Sequence, residues 1–178
     1  MSAIPQNFLR DGLSRIDAAA NSFDKGRALE DFICFLFPNV PGIEIAQRNT
    51  LNAFSTEELD VALWNDRSPT GLYFLPHIVL VECKNWSQPC GSQEVSYFVS
   101  RLKQRGCDHG ILVATHGITG VPEDITRAHF EMATALNSGI RVMLFTRQDF
   151  QNLQTSNDIV NLCKNKLCQL VVSGTNFL

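Results

Sequence analysis

The sequence has no long apolar run and no secretory leader. No stretch of about 18 or more apolar residues occurs, and a membrane-spanning helix needs that length. The first residues, MSAIPQNFLRDGLSR, do not place an apolar segment behind a basic start, so we expect no signal peptide. Both absences predict a cytoplasmic protein that does not act in a membrane.

Metal-binding cysteine pairs and a surplus of basic residues are missing as well. The six cysteines include no Cys-x-x-Cys pair, which argues against a zinc site and favours free thiols in a reducing compartment. The formal net charge is −3, so we expect no tight, unassisted binding to nucleic acid. This charge still permits an enzyme with an acidic metal site and a local basic rim.

The chain also lacks repeats, low-complexity tracts and long linkers. Its 178 residues suit one domain with a substantial core. We therefore predict a single domain over residues 1–178. Its core would cover about 21–153, followed by a C-terminal extension at 154–178.

Apolar periodicity predicts alternating helices and strands. The predicted strands cover 43–50, 59–64, 78–84, 110–114 and 140–145. The main predicted helices cover 21–37, 92–105 and 122–137, with further helices at 4–15, 148–154 and 159–170. Short connections favour antiparallel pairing of the first three strands, whereas helical crossovers favour parallel pairing of the last three. The predicted fold class is α/β, a mixed sheet flanked by helices with an αβββαβ core.

The stretch His77 to Trp86, HIVLVECKNW, combines a buried strand with two charged side chains. Side chains alternate between the faces of a strand, so Glu82 and Lys84 point the same way. A carboxylate and an ammonium at the end of a buried strand form either a structural ion pair or a catalytic pair. The preceding strand bears on this choice.

Alternation along the preceding strand places an acidic residue opposite an apolar face. Leu59, Val61 and Leu63 are predicted on one face, and Asp60 on the other. If the two strands pair, Asp60 lies near Glu82, and two neighbouring carboxylates repel each other unless a cation neutralises them. Magnesium or manganese suits such an oxygen-only site.

The order of these residues resembles a known nuclease signature. Asp60 followed by Glu82-Cys83-Lys84 is similar to the D…(D/E)-x-K pattern of the restriction-endonuclease-like PD-(D/E)XK superfamily. Leu59 stands where the usual pattern has proline. The segment Lys25 to Phe32, and GILVATHGIT followed by a helix and IRVMLFTRQDF, resemble the Mrr-like branch. The resemblance covers about Lys25 to Leu153.

The resemblance implies a metal-dependent phosphodiesterase, with DNA endonuclease as the preferred activity. Asp60 and Glu82 would hold Mg²⁺ or Mn²⁺, and Lys84 would assist the attacking water. Glu30 matches an extra acidic residue on the first helix, and the backbone carbonyl of Cys83 would be a further ligand. The alternative is a nuclease-like module that has little catalytic activity and serves assembly or nucleic-acid binding.

Four further residues are candidates for contact with the substrate. Gln93 and Tyr97 lie four apart on a predicted helix, and resemble the Q-x-x-x-Y element of RecB-type nucleases. Arg27 and Arg101 would contact phosphate. Three of them also have a structural interpretation, since Tyr97 would pack at the sheet edge and both arginines would be solvated. DNA is the expected substrate, RNA remains an alternative, and affinity would come from a homodimer or a partner protein.

Overall fold

The computed structural model describes residues 2–51, 58–121 and 126–174, except for the side chain of Ser22. Its helices are α1 (Gln6–Ala18), α2 (Ser22–Leu36), α3 (Ser92–Gln104), α4 (Ala128–Asn137) and α5 (Ser156–Ser173). Its strands are β1 (Ile43–Leu51), β2 (Glu58–Asn65), β3 (Ile78–Lys84), β4 (His109–Ala114) and β5 (Arg141–Phe145). Short 3₁₀ turns cover Phe37–Asn39 and Arg147–Phe150.

The five strands form one mixed sheet in the order β1-β2-β3-β4-β5. β1 with β2 and β2 with β3 are antiparallel, whereas β3, β4 and β5 are parallel. The apolar run of β3 explains its central position, because a strand covered on both faces needs apolar side chains on both. The predicted mixed sheet flanked by helices is confirmed.

Each face of the sheet buries its own apolar cluster. Val61, Leu63 and Val81 belong to a cluster that includes side chains of α1, α2 and α5. Leu80 and Leu112 belong to the other cluster, which includes side chains of α3 and α4. Alternate residues of β3 therefore point to different helical layers, which decides where its charged residues lie.

The start of α2 follows the capping rule read from the sequence. The Asn21 side chain accepts a hydrogen bond from the Asp24 backbone N–H at 2.9 Å. This contact satisfies one of the amide groups that have no partner inside the first helical turn. The helix ends at Leu36, just before the turn that contains Pro38.

The predicted facing of Leu59 is wrong. Leu59 packs in the cluster with α3 and α4, whereas Val61 and Leu63 pack in the opposite one. The β2–β3 pairing runs only as far as Val61 opposite Val81. Beyond that pair, side chains of β2 no longer alternate regularly between the two faces of the sheet. Leu59, next to Asp60, therefore points to the opposite face from the one predicted.

The predicted fourth helix, 122–137, is not helical at residues 126 and 127. Residues 122–125, which include the expected first residue Pro122, lie outside the described residues. Thr126 and Arg127 precede α4, and Arg127 has a φ of 52°, which a right-handed helix does not allow. The Thr126 hydroxyl accepts a hydrogen bond from the Val121 N–H at 2.9 Å.

Over the three described segments, no helix combines the length and apolar character that crossing a membrane requires.

Candidate active site

The end of β3 is anchored on both sides by hydrogen bonds. The backbone N–H of Thr115 donates to the Lys84 carbonyl at 3.1 Å, which joins the ends of β3 and β4. The buried Asn85 amide donates to the carbonyls of Ile16 and Lys25 at 3.0 and 3.1 Å. Asn85 also accepts from the Thr115 hydroxyl at 3.0 Å. Sequence reasoning missed Asn85, although an amide directly after a buried strand was a visible signal.

Glu82 is a buried carboxylate with two cationic partners. Only 4% of its side chain is exposed, and Oε1 lies 2.7 Å from Lys84 Nζ. Arg101 Nη1 donates to both carboxylate oxygens, at 2.8 Å to Oε1 and 2.7 Å to Oε2. Burial acts to lower the pKa of Lys84, but the charge and hydrogen bond of Glu82 outweigh it, so the pKa is raised.

The position of Arg101 depends on a close approach between α3 and β4. A Cβ atom at Gly110 would lie 2.7 Å from Phe98 Cζ and 2.8 Å from Leu102 Cδ1, so the small residue lets the helix settle on the strand. Phe98 and Leu102 flank Arg101 along the helix, and their burial fixes its backbone. Arg101 thereby reaches Glu82 from the neighbouring layer, rather than extending into solvent.

Asp60 accepts a hydrogen bond from the backbone of the Glu-x-Lys segment. Its Oδ2 lies 2.7 Å from the Cys83 N, at the point where the β2–β3 pairing has ended. Burial, and then the nearby charge of Glu82, raises the pKa of Asp60 to about 7, although the Cys83 N–H and Lys84 act in the opposite direction. Asp60 and Glu82 are thus close enough to repel each other when both are ionised.

Glu30 lies in a different arrangement, on the face covered by α2. Its Oε2 accepts from Arg48 Nε and Nη2, both at 3.2 Å. Arg48 Nη1 also lies 2.7 Å from Asp31 Oδ1. Cys83 packs on this same face, and burial raises the pKa of its thiol well above the usual value. Sequence reasoning missed Arg48, which lies on β1 with no distinguishing motif.

The structure does not bring the predicted ligand set together. Within residues 2–51, 58–121 and 126–174, no three or more His, Cys, Asp or Glu side chains form a group that could hold a metal. Asp60 and Glu82 nevertheless fit a hard cation, because two mutually repelling carboxylates supply oxygen ligands on adjacent strands. Glu30 is paired with Arg48, but it lies close enough to Asp60 for its charge to raise the pKa of that carboxyl.

The remaining predicted residues lie on the surface. Gln93 Nε2 donates to the Tyr97 hydroxyl at 2.6 Å, and Tyr97 is 57% exposed. The Arg27 guanidinium lies 5.4 Å from the centre of the Phe23 ring. In the part of the chain that the structure describes, these residues make no hydrogen bond to Asp60, Glu82 or Lys84. Their predicted contacts with a substrate stay predictions.

A cleft of about 560 Å³ opens at the end of the sheet where β4 and β5 finish. The loops that follow β4 and β5 line it, and its walls include Thr115, His116, His129, Arg147 and Gln148. Because Thr115 is hydrogen-bonded to the Lys84 carbonyl, the cleft adjoins the end of β3. The carboxyl ends of parallel strands are a common position for ligand binding.

This sheet order, with an Asp on one strand and Glu-x-Lys ending the next, defines a restriction-endonuclease-like fold. Residues 39–154 match the family model Mrr_cat, described as a restriction endonuclease. The chain belongs to this family, and the match supports a nuclease of the restriction-endonuclease type. The matched region contains Asp60, Glu82 and Lys84, whereas Arg27 and Glu30 precede it. A search of curated proteins finds no match to the chain.

Proposed function

We propose that the protein is a metal-dependent DNA endonuclease that hydrolyses phosphodiester bonds at the end of β3. The observation that carries this proposal is the arrangement of two carboxylates and one lysine around Cys83. Asp60 is hydrogen-bonded to the Cys83 N–H, and Glu82 is paired with Lys84. Such a cluster of interacting titratable groups at a strand end is typical of catalytic sites.

Each residue has a distinct role in this proposal. Asp60 and Glu82 hold Mg²⁺ or Mn²⁺, with the carbonyl of Cys83 as a further ligand and Glu30 as an auxiliary one. A metal bound there would polarise a phosphoryl oxygen and lower the pKa of a bound water. Because the pKa of Lys84 is raised, its ammonium keeps its proton at neutral pH and serves as a charged hydrogen-bond donor. Lys84 therefore orients the attacking water and stabilises negative charge on the phosphate.

The substrate would lie across the carboxyl ends of the parallel strands, where the cleft is located. Gln93, Tyr97, Arg27 and Arg101 are the proposed contacts with nucleic acid. A chain with a net charge of −3 supplies little general attraction for phosphate. We therefore propose that a homodimer or a partner protein supplies the remaining affinity, and a dimer would also provide two sites for cleavage of both strands.

One observation favours the alternative, a binding module without cleavage. Glu82 is already neutralised by Lys84 and Arg101, so its burial does not require a metal. In this alternative the ion pairs stabilise the fold, and nucleic acid binds to the surface without hydrolysis. The endonuclease requires a metal and Lys84 for hydrolysis, whereas the binding module requires neither to bind nucleic acid.

Cleavage of supercoiled plasmid with Mg²⁺ or Mn²⁺ separates the two functions. Lys84→Ala should reduce the cleavage rate by about 10²- to 10⁴-fold, since it removes a charged donor from the reacting phosphate. Lys103→Ala is the matched control, because Lys103 is exposed on α3, and it should cleave like the wild type.

Equal cleavage by wild type and Lys84→Ala would refute the assignment of the site. Linear duplex, single-stranded DNA and RNA serve as further substrates. Absence of cleavage of all of them, with no metal bound in calorimetry, would support the binding module.

A further inference from the structure

Arg101 neutralises Glu82 in a way that leaves little room for another cation. The single atom Nη1 lies within 2.8 Å of both carboxylate oxygens, and Lys84 Nζ occupies Oε1 as well. A buried carboxylate needs such neutralisation, because its loss of hydration is costly. The same two oxygens are those that a divalent metal would use.

The charge count at the site favours exchange of one cation for another. Glu82, Lys84 and Arg101 together carry one net positive charge, and ionised Asp60 makes the four groups neutral. A divalent metal added to all four would leave two uncompensated positive charges in a largely buried place, which is unfavourable. Departure of one protein cation halves that excess.

Arg101 is the cation better able to leave. Lys84 extends from β3 itself, two residues after Glu82, where β3 is paired with β4 and the Cys83 N–H donates to Asp60. Arg101 reaches Glu82 from α3 with a longer side chain, and the two side chains are equally exposed, at 22% each. Its charge can therefore move towards solvent by side-chain rotation, with the helix in place.

The guanidinium of Arg101 also has N–H donors that do not contact Glu82. Both of its hydrogen bonds use Nη1, and no described residue accepts from Nε or Nη2. Arginine presents its donors as a planar fork, which fits two oxygens of a phosphate. The side that faces away from Glu82 is thus suited to an anionic ligand.

We propose that Arg101 occupies Glu82 in place of a metal, that a divalent metal displaces it, and that the released guanidinium binds a phosphate of the nucleic acid. This inference rests on the proposed function, whose metal ligands include Glu82. It makes Arg101 a nucleic-acid-binding residue that couples metal binding to binding of the substrate. Binding of either ligand then strengthens binding of the other.

Calorimetric titration of Mn²⁺ into the metal-free protein, without nucleic acid, tests the displacement step. Arg101→Gln should bind Mn²⁺ about tenfold more tightly than the wild type, because the metal no longer competes with a charge-assisted hydrogen bond. Lys103→Gln removes the same charge from the exposed part of α3 and should bind Mn²⁺ like the wild type. Arg101→Lys keeps a cation and should lie between the wild type and Arg101→Gln.

The outcomes separate this inference from the proposed function. Equal or weaker Mn²⁺ binding by folded Arg101→Gln, with measurable binding by the wild type, overturns the displacement and leaves the metal site standing. Measurable Mn²⁺ binding by Arg101→Gln but not by the wild type supports the displacement. Absence of Mn²⁺ binding in both proteins overturns the inference together with the metal site. Circular dichroism checks the fold of each variant.

The coupling step has its own measurement. In a Lys84→Arg background, which keeps the positive charge beside Glu82 but replaces the lysine that assists the attacking water, the affinity for a DNA duplex is measured with and without Mn²⁺, and gel electrophoresis checks that the duplex stays intact. The strengthening caused by Mn²⁺ should shrink about fivefold when Arg101→Gln is added, since no guanidinium is then released. An undiminished strengthening would overturn the phosphate-binding role.

Discussion

Each face of the sheet holds a glutamate against an arginine, but the two pairs differ in depth and in partners. On the α3 face, Glu82 is 4% exposed and has both Arg101 and Lys84. On the α2 face, Glu30 is 12% exposed and shares Arg48 with the half-exposed Asp31. The second pair joins a helix to an edge strand. The first neutralises an interior carboxylate beside Asp60, so similar contacts have different consequences.

The same substitution on the two faces should have the most unequal effects on activity. Glu82→Gln removes a proposed metal ligand and should lower the cleavage rate about 10³-fold. Glu30→Gln removes only an auxiliary ligand and should cost about tenfold. Single-turnover plasmid cleavage with saturating Mn²⁺ measures both. Equal losses would show that the two faces contribute alike to the site.

Asp60→Asn should stabilise the metal-free protein at neutral and higher pH. The pKa of Asp60 is about 7 in the folded chain against an ordinary 3.8, so the folded state holds its proton more tightly. The contribution of Asp60 to the free energy of unfolding is therefore greatest below about pH 4. It falls as the pH rises towards 7 and stays low at higher pH. Asparagine keeps an acceptor for the Cys83 N–H and has no charge to bury.

The gain from Asp60→Asn should grow over that pH interval and level off at about 4 kcal/mol, at about 1.4 kcal/mol for each pKa unit between 3.8 and about 7. Urea denaturation from about pH 4 to about pH 8.5 measures it. Asp11→Asn is the control, because Asp11 is exposed beside Arg10, and it should show no such gain. A gain independent of pH would contradict the electrostatic origin.

Arg48→Gln should destabilise the fold modestly, through the α2 face. Glu30 would lose its partner while staying mostly buried, and Asp31 would lose a contact of 2.7 Å. We expect a loss of about 1 kcal/mol at about 50 mM salt and less at about 500 mM, because salt screens exposed charges. Urea denaturation measures it, and Arg10→Gln, in a largely exposed pair, is the control. A loss that does not change with salt would point to packing.

The mixed sheet was predictable because its signals are local. Apolar alternation, a capping Asn21 and the central run of β3 each act within a few residues, and all three appear in the structure. The start of α4 was not predictable from periodicity. The apolar pattern there is typical of a helix, but Arg127 has a positive φ, which a right-handed helix does not allow.

The proposed site was predictable in part. The two strands that carry Asp60 and Glu82 were expected to be neighbours, and they are paired. The hydrogen bond from Cys83 to Asp60 was not expected, nor were the arginines that hold Glu82 and Glu30. These contacts join residues 18 to 23 positions apart, on elements whose relative placement depends on packing.

The sequence by itself determined the α/β class, the strand that carries Glu82 and Lys84, and the family resemblance. Hydrophobic periodicity and residue spacing are properties of the chain alone. Only the tertiary structure decided which cation neutralises each carboxylate and how strongly Asp60 holds its proton. Burial and charge at short range set both, and these exist only after α2 and α3 pack on opposite faces of the sheet.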